Sequence, residues 1–138
     1  MVDDTAVGKA VKAAIAAELS IMIRTTKVLE ADEHQGIDVQ HVQFGLTRKY
    51  NPTTRAGRTS RPSYRMSTAA VAQTASDVTQ LEKRVRAGIE GRAIPVGPDH
   101  LTTPITFETS DEVDKPEGSV LFTARTTWTF TLTRRSGT

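Results

Sequence analysis

Cysteine is absent from the 138-residue chain, which excludes disulfides, thiolate metal sites and thiol catalysis together. Long hydrophobic runs are also missing: no stretch nears the ~18 apolar residues of a membrane-spanning helix. The opening MVDDTAVGKAV is acidic where a secretory signal is basic. These absences predict a soluble protein used without export. Familiar catalytic signatures are lacking as well, since no GxSxG, GxxxxGK or GxGxxG occurs, and with them go the usual warrants for hydrolase and nucleotide chemistry. The three histidines, His34, His41 and His100, have no metal-ligand spacing among them, and the one carboxylate at i+3 or i+4, Asp38 after His34, belongs to a turn. No catalytic residue, metal or cofactor is therefore expected.

Apolar residues are scarce too. A hydrophobic share of 37% and a mean hydropathy of −0.36 are lean beside the ~45–50% apolar share, glycine included, of ordinary domains. The length fits one domain over residues 1–138, and so lean a core favours completion by a partner. Aromatic residues amount to only 5%, yet the single Trp and two of the four Phe lie in the closing stretch GSVLFTARTTWTFTLTRRSGT. Val120, Phe122, Ala124, Thr126, Trp128, Phe130 and Leu132 alternate there with Thr123, Arg125, Thr127, Thr129, Thr131 and Thr133. A period of two puts the first set on a core face and the second on an open one. The pattern predicts a long central strand with an open face of hydroxyls, followed by a short tail over 134–138.

Upstream, Val7, Val11, Ile15 and Leu19 recur every four residues, with Ala14 and Met22 beside them, which predicts an amphipathic helix from about Asp4 to Met22. TTKVLEA predicts a short strand. VQHVQFGLTRKY predicts another, with Val42, Phe44 and Leu46 inward and His41, Gln43 and Thr47 outward. NPTTRAGRTSRPS, with Pro52, Gly57 and Pro62, predicts a flexible loop over about 48–62. YRMSTAAVAQTA continues as a strand, and SDVTQLEKRVRAGIEG predicts a helix with a capping box at Asp77 and Gln80, a stripe of Val78, Leu81, Val85 and Ile89, and a stop at Gly91. AIPVGPDH reads as a connection, LTTPITFET as a strand and SDEVDKPEGS as a hairpin loop. The order implies an α+β domain: an antiparallel or mixed sheet of about four to five strands, two helices on one face, and a long basic loop. Its core is built on Val42, Phe44, Leu46, Leu81, Val85, Phe122, Trp128 and Phe130.

Charge is segregated along the chain. Between Asp38 and Asp77 there is no acidic residue, while Arg48, Lys49, Arg55, Arg58, Arg61 and Arg65 are all basic. Glu108, Asp111, Glu112, Asp114 and Glu117 form an acidic cluster against Lys115 alone. Such segregation points to a directed contact. The carboxylates of DEVD (Asp111 to Asp114) read as an exposed acidic turn and not a catalytic dyad, because nothing near them in sequence desolvates one acid to split their pKa values. For the arginines, three readings stay open: phosphate contacts on nucleic acid, a heterologous interface with the acidic turn of another copy, or a solvated loop.

The layout of the chain resembles the small tail terminator or tail-completion proteins of long-tailed bacteriophages, which join tail to head. The likeness is carried by the amphipathic opening helix, the extended loop after an early strand, the helix VTQLEKRVRAGI running into a linker, and above all the ending PITFETSDEVDKPEGSVLFTARTTWTFTL. The arginine-rich loop departs from that group. The resemblance implies a structural virion protein of the tail or neck, not an enzyme. It implies a homo-oligomer, a hexameric ring, that caps the tail tube, ends its polymerisation and joins the head connector, with DNA passing through the lumen without specific binding. The tail tube protein and a head-completion or connector protein are the implied partners. In such a ring the threonine face lies against neighbouring copies around the channel, and the basic and acidic segments make subunit, tube or connector contacts. Another head–tail connector ring, or more distantly a basic nucleic-acid-binding module, is the alternative.

Overall fold

The computed structural model describes residues 4–20, 27–30, 40–49, 63–115 and 120–134. Helix α1 spans Asp4–Leu19. Strands β1 (Lys27–Leu29), β2 (His41–Lys49) and β3 (Ser63–Ala72) follow, then helix α2 (Ala75–Ile89), and finally β4 (Pro95–Val96), β5 (His100–Thr102), β6 (Thr106–Ser110) and β7 (Phe122–Arg134). The fold is α+β: two helices with one curled, mostly antiparallel sheet in the order β1-β2-β3-β7-β5-β4, β6 pairing with β7 off that path. Among the described strands only β1 and β2 pair in parallel.

Among the described residues seven strands stand where the sequence predicts four to five. The excess comes from two places where proline and glycine mark short strands and not loops. In AIPVGPDH, Gly97 takes φ 67° and turns the chain so that β4 pairs back on β5, Val96 opposite His100. In LTTPITFET, Pro104 has no N–H to give a ladder, so the segment breaks. β5 pairs with Thr133 and Leu132, β6 with the earlier half of β7, and Ile105 between them donates to the carbonyl of Arg92 at 3.0 Å.

β7 is central. It pairs with β3 from Ser63↔Thr131 to Ala72↔Phe122, and its other edge is shared by β6 and β5. Its even residues from Ala124 to Leu132 are buried, as a period of two requires. The strand starts at Phe122, and Val120, expected on the core face, lies outside it and is 70% exposed.

α1 buries Val7, Gly8, Val11, Ile15 and Leu19, a spacing that keeps every member on one face of a 3.6-residue helix. α2 buries Val78, Leu81, Val85, Gly88 and Ile89. Its start differs from the predicted capping box: Thr74, in extended conformation, is the N-cap, and its hydroxyl accepts from the Asp77 N–H at 3.1 Å. A threonine three residues before Asp77 satisfies the first turn more directly than the Asp77–Gln80 pair. The helix ends as expected: Gly91 takes φ 72°, a left-handed position that favours glycine, and its N–H meets the Ile105 carbonyl at 2.8 Å.

The helices share one face of the sheet, α1 touching β1 and β2 at one end and β4 at the other, so the sheet wraps around them. The core there joins Val42, Phe44, Tyr64, Met66, Leu81, Val85, Trp128 and Phe130, with Leu46 and Phe122 packed against it from half-buried positions. Trp128 is fully buried, and its indole N–H donates to the hydroxyl of Thr68 at 3.0 Å. His41, expected outward, is only 2% exposed. It stands opposite Val71, and the odd-numbered Ala69 and Val71 are buried like their even neighbours, so this end of the sheet is covered on both faces. Alternation cannot separate the faces there.

Candidate assembly surface

The candidate surface begins with the open face of the sheet. Thr123, Thr127, Thr129, Thr131 and Thr133 of β7 are half-buried and Arg125 is exposed. Several of these groups are tied down locally: Thr133 Oγ1 donates to the Leu101 carbonyl at 2.9 Å, and the Thr131 N–H donates to Thr103 Oγ1 at 2.9 Å. Arg125 Nη1 reaches Ser67 Oγ at 3.5 Å. Hydroxyls on β-branched stems give a stiff polar surface that keeps hydrogen-bonding capacity for a facing polar partner.

Arg48 and Arg65, near the β2 and β3 ends that flank residues 50–62, lie on opposite faces. Arg65 belongs to the open face, where its Nη2 meets Glu108 Oε1 at 3.0 Å. Glu108 sits where the register between β6 and β7 shifts, between Phe107 and Thr109. Such a bulge re-aims side chains, here bringing Glu108 to Arg65 within one chain. Arg48 lies on the helix side, its Nε 3.3 Å from Asp4 Oδ1 and its guanidinium 5.9 Å from the centre of the Tyr64 ring.

Tyr64 joins these groups. Its hydroxyl donates to Asp4 Oδ1 at 2.8 Å, and its ring stacks on Phe130 with centroids 5.3 Å apart. Burial pushes the Tyr64 phenol above its ordinary value near 10.0; the Arg48 contact opposes that shift and the Asp4 hydrogen bond adds to it. Arg48 is raised in turn, chiefly by its hydrogen bond with Tyr64.

Of the other basic residues singled out in the sequence, Lys49 ends β2, and Arg55, Arg58 and Arg61 lie outside the described residues. On the acidic side, Asp111, Glu112 and Asp114 are exposed beside β7. The Asp111 N–H donates to the Arg125 carbonyl at 2.8 Å, and Asp114 bridges Thr123. Val113 in their midst is 38% exposed. Glu117 lies outside the described residues. The fold therefore brings Arg65 to Glu108 but leaves Asp111, Glu112 and Asp114 without an ion pair among the described residues.

Two features were not singled out by the sequence reading. Phe107, 37% exposed, meets Trp128 edge-on at 5.9 Å and carries the Arg86 guanidinium 4.6 Å from its centre. A groove of about 420 Å³ runs between α1 and β2, lined by Asp4, Thr5, Gly8, Lys9, Lys12, Glu30, Phe44 and Leu46. Gly8 lets the helix pass close to the strand: a Cβ there would lie 3.7 Å from both Phe44 and Leu46. Among the described residues no group of His, Asp and Glu side chains is placed to hold a metal ion, and no helix is long and apolar enough to cross a membrane.

No protein-family profile and no curated protein matches this chain. Solved structures do. One chain of unstated function superposes with a TM-score of 0.73 at 7% identity, over 99% of this chain and 100% of the other. A second, from the virion of a native gene transfer agent (GTA) particle, superposes with a TM-score of 0.64 at 11% identity, over 92% of this chain and 96% of that one. At such identities the likeness is one of fold.

Proposed function

We propose that this chain is a structural protein of a phage-like virion, acting without catalysis as a ring at the tail or neck that caps the tail tube, ends its polymerisation and joins tail to head. The observation that carries this reading is the superposition, over nearly the whole of both chains, on a protein from a gene transfer agent virion. The threonine face of β7 supports it, as do the exposed carboxylates of Asp111, Glu112 and Asp114, which form no ion pair among the described residues and are open to a contact with another copy. A ring also protects strand edges that a lone small sheet leaves open. In this reading Arg55, Arg58 and Arg61 reach a neighbouring copy, the tube or the connector.

The test is the solution mass of the purified protein by light scattering across a salt series, with negative-stain imaging of any large species. A closed ring of about six copies is expected, weakening as salt screens its charged contacts. Replacing Arg55, Arg58 and Arg61 together with Ala should lower the assembled fraction and leave the fold intact. A monomer at all salts that also fails to bind purified tube ends would overturn the reading. A strongly salt-dependent complex with DNA in a mobility-shift series would replace it with a nucleic-acid-binding module.

A further inference from the structure

The groove between α1 and β2 has an apolar floor and, among the described residues, one charge without a partner. Phe44 and Leu46 form the floor beside Gly8. Of the charged residues around it, Asp4 is held by Arg48 and Glu30 by Lys12, at 2.9 Å. Lys9 is exposed and has no partner among the described residues. Across the sheet, the segment Asp111-Glu112-Val113-Asp114 has the complementary character: an exposed valine between carboxylates that form no ion pair among the described residues.

The two features cannot meet within one chain. The acidic segment lies along the side of β7 away from β3, and β3 and β7 stand between it and β2. At about 4.8 Å per strand that is about 14 Å across the sheet.

We infer that the groove receives the 111–114 segment of a second copy, with Val113 against Phe44 and Leu46 and a flanking carboxylate on Lys9. The inference rests on the proposed ring, for which it supplies the subunit contact. Because donor segment and groove are different surfaces with β3 and β7 between them, each copy offers one of each, and the contact propagates head to tail. Val113 removes its apolar surface from water, and the Lys9 contact fixes which segment is accepted.

The lack of cysteine makes a clean test possible. Thr5, exposed on the rim of the groove, and Val113 are each changed to Cys, separately and together, and oxidised at low concentration. Mixing Thr5→Cys with Val113→Cys should give a cross-linked pair faster than either variant alone. The double variant should give a ladder of covalent oligomers that closes at the ring size. Adding Lys9→Glu should slow cross-linking about tenfold, since a charge at the edge of a contact acts mainly on association. Absence of a mixed Thr5–Val113 product while light scattering shows a ring overturns this contact and leaves the ring reading standing. A ladder that stops at two copies, joined reciprocally, keeps the contact and removes the ring. Failure of both the product and the ring removes both.

Discussion

The phenol of Tyr64, near the start of β3, donates its hydrogen bond to Asp4, the first described residue of α1, at 2.8 Å across sixty positions of sequence. It fixes the start of the helix against β3, while Asp4 near the positive helix end also faces Arg48.

Tyr64→Phe should lower stability by about 1 kcal/mol at neutral pH, in the usual range for a lost hydrogen bond whose acceptor keeps another partner and solvent. The sign of the pH dependence follows from the raised phenol. A group whose folded-state pKa lies above its unfolded value contributes stability that is complete below the unfolded value and fades as pH rises through the folded one. Chemical denaturation of both proteins should therefore show the gap between wild type and Tyr64→Phe shrinking as pH climbs from 10.0 upward. A constant gap would show that the phenol is not held back from ionising.

Trp128 lies next along the same face, opposite Met66 where Tyr64 stands opposite Phe130. Trp128→Ala should cost about 3–5 kcal/mol, the range for emptying a buried aromatic site, and Thr68→Val about 1–3 kcal/mol, because it strands the buried indole N–H. Urea unfolding measures both. Equal and small losses would mean that the pair is not enclosed in the core.

Gly88 lies where the helices cross. A Cβ there would stand 3.1 Å from Glu18 Cβ and 3.4 Å from the Ala14 carbonyl oxygen, neither of which is the far end of a flexible side chain. Gly88→Ala gains about 1 kcal/mol of helix propensity, but separating two packed helices costs about 1–3 kcal/mol, so a net fall in melting temperature is expected. A rise would show that α1 yields easily.

The Arg65–Glu108 pair tests how much surface charge matters to the fold. Both side chains are substantially exposed, at 54% and 35%, so removing either should change stability by no more than about 1 kcal/mol. A double-mutant cycle read by denaturation gives the coupling directly. An effect on assembly larger than on folding would place Glu108 in the contact between copies.

Much of this was open to reading from sequence because it follows from local periodicity. The two helical stripes, the alternation of β2 and β7 and the stop at Gly91 each depend on residues a few positions apart, whose geometry the backbone repeats. Short strands were harder: β4 and β5 hold only two and three residues, too few for a period to show, and their prolines and glycine speak for loops. His41 went astray because its burial is set by covering of the sheet's second face near Val71, a property of no local pattern.

The segregation of basic and acidic residues was likewise plain in the chain, but not what each charge faces. Arg48 and Arg65 belong to one basic stretch, yet residue parity places them on opposite faces, one with Asp4 and one with Glu108. The groove has no linear signature at all, because Lys9, Phe44 and Leu46 meet only when α1 crosses β2. The sequence by itself determined the α+β class, the central final strand and the two apolar stripes, since these rest on repeating local geometry. Only the tertiary structure decided which charges are already paired, which are left over, and where an apolar groove opens, since those depend on contacts between residues far apart in the chain.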